Sequence, residues 1–483
     1  MTNKNVISKS VKWSALGEIL AKLIVPITNM ILARVLVPED FGILASINMI
    51  ISFVDLFTDA GFAKYLIQCD FDSDDERYNF ANVAFWTNFA ISSFMCLFIC
   101  AFRERAAIMV GNPGYGTVIA VASIQLLITS FSSIQTALFR RDFDFKTLFI
   151  TRVTMALVPL IVTVPLAVVT RSYWSLVIGS VSSAFLNALI LTIKSRWKPR
   201  FYYSFNQLKK MISFSVWSLV EAVAYWLTTW ADIFIIGAMF SAYYLGIYKN
   251  SLNMVNSIMA LVKASIIPVL FSSLARLKHN KVEFESVYYS IQRLTSCLLI
   301  PMGIGLFIFR DLATSILFGN QWGEAANIVG AWSLASMIFI IFTSFNGEAY
   351  KAVGKPKILF AFEFTYLVIM IPACYITKEF GFWALVYTRS LLVSGQALIG
   401  LGFMKKYLRF KVTDMLKNVF EPFVCALLMG IVGSVLLKIY SGIIWQLLSI
   451  ALCIVVYFGL LYVFFKRTIA NDLKVFKNNY NLK

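Results

Sequence analysis

The sequence predicts an all-α polytopic membrane protein of about 14 transmembrane helices. They are arranged as two six-helix lobes related by a parallel pseudo-twofold repeat, plus a C-terminal helix pair. Three observations predict it. Of the 483 residues 59% are hydrophobic and only 14% charged, with a mean hydropathy of +0.76, whereas soluble domains hold about 25% charged residues. Apolar stretches close to the ~20 residues that cross a bilayer recur along the whole chain. Lys and Arg gather in alternate connections, as the positive-inside rule requires of cytoplasmic loops.

The first span, residues 11–36, already carries Glu18 and Lys22. It therefore reads as a retained helix rather than the apolar region of a signal peptide. The corner that follows, LARVLVPEDFG at 32–42, holds the breakers Pro38 and Gly42, expected to end one span and start the next. Glu39 and Asp40 fall at the positive N-terminal end of the second span, 41–68, and Arg34 faces the outer side. Spans at 79–102, 117–139, 149–170 and 173–193 complete a first lobe, 1–193, and a basic linker follows at 194–210. The second lobe, 211–404, holds spans at 212–240, 243–271, 287–309, 326–350, 357–376 and 381–404. The last pair, 419–438 and 443–465, lies within 405–483.

Charge placement follows this division. With the N-terminus in the cytoplasm, 31 Lys and Arg fall inside and seven outside, which puts both termini in the cytoplasm. Topology and attraction to anionic lipid headgroups account for the net charge of +18 without nucleic acid. The seven cysteines are scattered, with neither a disulfide framework nor zinc spacing. The sole histidine, His279, sits in a basic cytoplasmic loop, and the two longest outer loops offer only Glu104, Asp311 and Glu324 as acids. Neither a catalytic dyad nor a His-metal site has material, so no enzyme and no cofactor is expected. The cytoplasmic stretches FRRDFDFKTL (139–148) and RFYYSFNQLKKM (200–211) mix aromatics with cations. They are expected to form short surface helices at the inner interface, with docking of a protein partner as the functional alternative.

A shift of 204 residues places Trp13-Ser14 on Trp217-Ser218, Ile31 on Ile235, Gly42 on Gly246 and Ile43 on Ile247. Six spans separate the copies, so they share one orientation, the parallel kind of repeat found in transporters. Ionisable groups inside spans are functional candidates by default. Lys249, Asn253, Asn256 and Lys263 stand at helical offsets 0, 4, 7 and 14, within about 40° of one line at 100° per residue. That polar face lines a water-filled cavity, or else the asparagines join helices and the lysines snorkel. Asp55 and Asp59, one turn apart, disfavour joint ionisation and suit ion coupling, unless they pair with Lys22 or Lys64. Glu18 is a third coupling candidate, with Lys22 as its alternative i,i+4 partner. Arg389 has no acid within a helical turn, so its candidate role is contact with a phosphate.

An ordered series of motifs then carries a resemblance. KWSALGEILAKLIVPITNMILARVLVPEDFGILA near the start, GFAKYLIQ at 61–68, FRRDFDFKTL at 139–148, DIFIIGAMFSAYYLGIYKNS at 232–251, LFGNQWGEAANIV at 317–329 and AVGKP at 352–356 resemble the Wzx-type polysaccharide flippases. These belong to the multidrug/oligosaccharidyl-lipid/polysaccharide exporter superfamily, and the resemblance runs from about residue 8 to 465. It implies a twelve-helix core plus two helices in a bacterial inner membrane. The implied cargo is an undecaprenyl-diphosphate-linked oligosaccharide, carried from the cytoplasmic to the periplasmic leaflet with H⁺ or Na⁺ coupling. Polysaccharide polymerase and glycosyltransferases are the implied partners. The cavity cations for such a diphosphate are Lys22, Arg34, Lys249, Lys263 and Arg389. One departure concerns TTWAD at 228–232, where many relatives carry a basic residue shortly before the aspartate. A toxin-extrusion drug/cation antiporter is the alternative within transport, and a membrane-embedded polymerase or glycosyltransferase the alternative outside it.

Overall fold

Helix is what a chain of this composition must form inside a bilayer, because only helices and closed barrels satisfy every backbone polar group there. A computed structural model describes residues 3–59 and 61–481, and side chains at 3–12, 15, 58, 59, 214–218, 221, 265, 268, 269, 272, 356, 467 and 469–481 lie outside that description. Among the described residues the regular structure is entirely helical. The chain divides into two units, Met1–Lys249 and Asn250–Lys483.

The first unit begins with α1 (Asn3–Val35), α2 (Pro38–Asp59), α3 (Phe62–Gln68), α4 (Asp74–Ala101) and α5 (Arg103–Met109). It continues with α6 (Gly116–Arg141), α7 (Phe145–Val158), α8 (Val164–Thr170), α9 (Trp174–Lys194), α10 (Phe205–Met239) and the start of α11 (Ala242–Arg276). Pro159 and Pro165 flank a π-helical turn, Pro159–Thr163, that joins α7 to α8 in one candidate span. A proline cannot donate to the helical ladder, and a wider turn absorbs the lost bonds. Within this unit α6 packs on α4 and α9, α1 on α7, and α2 on α10. A core of Phe62, Leu66, Phe80, Phe85, Ile134 and Trp197 gathers α3, α4, α6 and the linker.

The second unit holds α12 (Lys281–Ile308), α13 (Arg310–Leu317), α14 (Ala325–Phe339), α15 (Phe345–Ala352), α16 (Pro356–Thr377), α17 (Phe382–Phe403), α18 (Val412–Ile439) and α19 (Ile443–Asn481). Here α12 packs on α14, α18 and α19, while α17 packs on α14 and α16. The Tyr457 hydroxyl on α19 donates to the Cys297 carbonyl on α12 at 2.9 Å, tying the terminal pair to its own unit.

Both units contain one matching run. The helices α4 and α12 are 28 residues each, and their N-caps Ser73 and Asn280 accept from the backbone N–H of Glu76 and Glu283. A side-chain oxygen at this position satisfies a donor that the first turn leaves unpaired. Both helices end at a phenylalanine, Phe102 or Phe309, before a short helix that opens on Arg103 or Arg310. The texts FRERAAIMVGN and FRDLATSILFGN show the same run in letters.

Thirteen helical segments among the described residues are long and apolar enough to cross a membrane. The expected span at 243–271 forms within the 35-residue α11 but is not among those thirteen. The expected interfacial helices do not form as separate elements. FRRDFDFKTL is the end of α6, a turn, and the start of α7, with Asp144 accepting from the Thr147 N–H at 3.1 Å and its hydroxyl at 2.7 Å. Residues 195–204 are extended and strapped along α4. Arg200 N–H donates to Asn82 at 3.0 Å, the Trp86 indole donates to the Arg200 carbonyl at 2.8 Å, and Phe201 stacks on Trp86 at 4.9 Å. Phe201 and Tyr203 thus have partners on α4, while Phe143, Phe201 and Phe205 remain exposed.

Candidate functional site

In the first unit Glu18 and Lys22 form an ion pair of 2.8 Å on α1, with side chains 50% and 27% exposed. The i,i+4 spacing brings them together, the alternative to a coupling role for Glu18. Arg34 is exposed in the last turn of α1. Asp55 is half-buried on α2; Asp59 ends that helix, with its side chain outside the described residues. Near Asp55, the Trp226 indole of α10 donates to Ser52 at 3.0 Å and packs on Phe53 at 4.9 Å. Lys249 lies 4.3 Å from the ring centre of Trp230, a cation–π contact between α11 and α10.

The corner at 32–42 has a different role from the one its letters suggest. Pro38 opens α2, as expected, but Gly42 lies inside that helix and Gly246 inside α11. A Cβ on Gly42 would strike the Ala242 carbonyl, and one on Gly246 would strike the Pro38 carbonyl. Their function is close backbone approach rather than helix termination, because small residues alone let membrane helices come this near. Asp40, 6% exposed, accepts from the N–H groups of Val37 at 3.2 Å and Tyr173 at 2.9 Å, fastening the corner to the start of α9. Asp232, 2% exposed, accepts from the Tyr248 hydroxyl at 2.7 Å.

In the second unit Asn256 is exposed on α11, yet its side-chain oxygen accepts from the Trp332 indole at 3.1 Å and the Ser336 hydroxyl at 3.4 Å, both on α14. Asn253 is exposed and Lys263 half-buried on the same helix. Arg389 is buried on α17, bonded to the Tyr366 hydroxyl, with its guanidinium 5.8 Å from the Trp332 ring centre and 5.6 Å from that of Tyr366. Glu363, one turn before Tyr366 on α16, interacts electrostatically with that guanidinium. The sequence reading required an acid from another helix and did not find it. Glu363 was visible in the letters as the sole acid of its span, within FAFEFTYL.

Trp332 thus touches both Asn256 and Arg389, joining two candidates that lie 133 residues apart in sequence. Such a set of donors and aromatic faces stabilises a cation in a low-dielectric setting, and its polar atoms satisfy one another as buried groups must. Among the described residues no group of three or more His, Cys, Asp or Glu is placed to hold a metal ion.

The profile of the polysaccharide biosynthesis protein family matches residues 31–327, more than half of the chain. The chain belongs to this family. Among characterised polysaccharide biosynthesis relatives it is similar to the succinoglycan biosynthesis transport protein ExoT of Rhizobium meliloti (strain 1021), at 24% identity over 91% of this chain and 88% of that protein. It is also similar to the lipopolysaccharide biosynthesis protein WzxC of Escherichia coli (strain K12), at 19% identity over 75% of this chain and 73% of that protein. The lipid II flippase MurJ, in an inward closed conformation, shares the fold with a TM-score of 0.77 and 16% identity, over 94% of this chain and 99% of that one. An inward-facing multidrug resistance MATE family transporter of the MOP superfamily does so with a TM-score of 0.59 and 11% identity, over 84% of this chain and 96% of that one. This member of the polysaccharide biosynthesis protein family is a multi-pass membrane protein with the fold of those transporters. The expectation of a non-enzymatic transporter agrees with relatives named as transport proteins and flippases.

Proposed function

We propose that this chain is a flippase carrying an undecaprenyl-diphosphate-linked oligosaccharide from the cytoplasmic to the outer leaflet of a bacterial inner membrane. The observation that carries the reading is the coincidence of two likenesses: a polysaccharide biosynthesis profile over residues 31–327 and a lipid-flippase fold over 94% of the chain. The physical need is plain. A diphosphate cannot cross a ~30 Å hydrocarbon core bare, so fixed cations must replace its hydration while the isoprenoid tail stays in lipid.

In this reading the functional lobes are 1–193 and 211–404, and they rock about a pseudo-twofold along the membrane normal. The matching capped helices α4 and α12, with the short helices after them, support a duplicated arrangement. Lys22, Arg34, Lys249, Lys263 and Arg389 attract the diphosphate, Asn253 and Asn256 line the path, and Glu18, Asp55 and Asp59 carry the coupling H⁺ or Na⁺. Both termini face the cytoplasm, where the glycosyltransferases that build the cargo work, and a polymerase takes it up outside.

The test is deletion in the parent organism with the lipid-linked oligosaccharide assayed for sidedness. Accumulation on the cytoplasmic leaflet is expected. Continued arrival at the outer leaflet, with no paralogue present, overturns the proposal. Loss of resistance to cationic drugs without that accumulation selects the antiporter instead.

A further inference from the structure

An elongated cavity of about 430 Å³ opens in the first unit between α1, α6, α7 and α9. Its floor on α1 is Ser14, Gly17, Ala21 and Val25, one stripe at spacings of three and four residues. From Trp13 to Val25 that stripe extends about 18 Å along the helix, more than half the depth of a hydrocarbon core. Gly17 shapes the slot, since a Cβ there would come 3.0 Å from the Phe149 ring. Trp13 and Phe149 pack at 4.9 Å beside its entrance.

Among the described lining residues the charged ones are Arg140 and Arg152, and none is an acid. The carboxylates that follow Arg140 have partners of their own, Asp142 with Arg77 at 2.8 Å and Asp144 with Thr147. Arg152 stands two turns into α7, near the start of the candidate span Phe145–Thr170. A guanidinium at that depth is costly unless it meets an anion or snorkels to the interface. A slot lined mostly by apolar side chains, with Ser14, Thr136, Thr151 and Asn187 among them and two guanidinium groups in its lining, suits one chemical class, an amphiphile with a phosphate head and a hydrocarbon chain. We infer that this cavity is a binding site for a phosphate-bearing lipid, its head on Arg140 and Arg152 and its chain along Ala21, Val25 and Met155. The inference does not rest on the flippase reading, and its test does not measure transport.

The purified full chain is titrated with phosphatidic acid brominated on its acyl chains, and Trp13 quenching is taken as the difference from Trp13→Phe. Saturable quenching is expected. Arg140→Gln with Arg152→Gln should weaken it at least tenfold, while the equal charge loss of Lys209→Gln with Lys210→Gln, on the exposed surface of α10, changes it less than twofold. Ala21→Phe, which fills the slot and keeps both guanidinium groups, should weaken it as well. Competition separates the sources: polyprenyl phosphate displacing the probe at a tenth of its concentration marks a lipid carrier as occupant, and the reverse order marks a membrane phospholipid. Either result upholds the site. Absence of Trp13-dependent quenching, equal loss in both charge variants, or full binding in Ala21→Phe overturns it.

Discussion

Gly42 and Gly246 meet backbone to backbone. A Cβ on Gly246 would lie 3.0 Å from the Gly42 nitrogen as well as striking the Pro38 carbonyl, while one on Gly42 would strike the carbonyl of Ala242. Positions 38 and 242 are separated by the same 204 residues as 42 and 246. The contact is therefore reciprocal, each glycine approaching the residue four positions before the other.

Because the obstructing atoms are backbone carbonyls, neither corner can give way as a side chain would. Gly42→Ala and Gly246→Ala should each destabilise the fold by about 1–3 kcal/mol, the cost of overpacking. Gly395→Ala, in a helix with open space around it, should instead be stabilising by ~0.4–1 kcal/mol. Thermal denaturation in a mild detergent gives the ranking. Equal behaviour of all three would remove the corner from the list of tight contacts.

Asp40→Asn keeps the shape of the side chain but leaves one acceptor oxygen for the two N–H groups of Val37 and Tyr173. A loss of about 1.5–3 kcal/mol is expected for a bond to a charged acceptor. Hydrogen exchange should rise at Tyr173 in particular, 133 residues away in sequence.

Arg141 donates to three carbonyls, Leu66 at 2.9 Å, Ile67 at 3.3 Å and Cys69 at 2.6 Å, and lies 4.8 Å from the centre of Phe71. One guanidinium closes the end of α3. All three bonds leave Nη1, while the planar guanidinium lies against Phe71, a face that an ammonium group lacks, so Arg141→Lys should open this turn. Limited proteolysis between residues 69 and 73 should accelerate several-fold, whereas Arg105→Lys, exposed on α5, should change nothing.

Arg389 and Glu363 should behave as a coupled pair. Arg389→Gln and Glu363→Gln are each expected to lower the yield of folded protein, and the double variant to recover part of the loss. The interaction energy from the cycle should fall within about 0.5–3 kcal/mol. Strict additivity would show that the two groups act separately.

Hydropathy and spacing made the membrane class, most span positions and the i,i+4 pair of Glu18 and Lys22 legible, since each depends on residues within one helix. They also marked Gly42 and Gly246 as notable while misreading why. A glycine near a proline looks like a turn, and only the crossing of α2 with α11 reveals a close approach. Phe201 and Tyr203 looked like an interfacial helix because aromatics and cations alternate there. Asn82 and Trp86, more than a hundred residues earlier, hold that segment extended instead.

By itself the sequence determined that this chain lives in a membrane as a series of apolar helices, that Pro38 opens the second of them, and which polar residues lie within spans. Those properties are averages over ~20 residues of one helix, and a bilayer enforces them locally. The tertiary structure alone decided that Arg389 lies beside Tyr366 and Trp332 within the electrostatic reach of Glu363, that Asp40 reaches Tyr173, and that Arg140 and Arg152 line one slot with Ala21 and Val25. A buried polar group takes whatever partner the neighbouring helices bring within about 3 Å, and neighbours in the bundle are not neighbours in the chain.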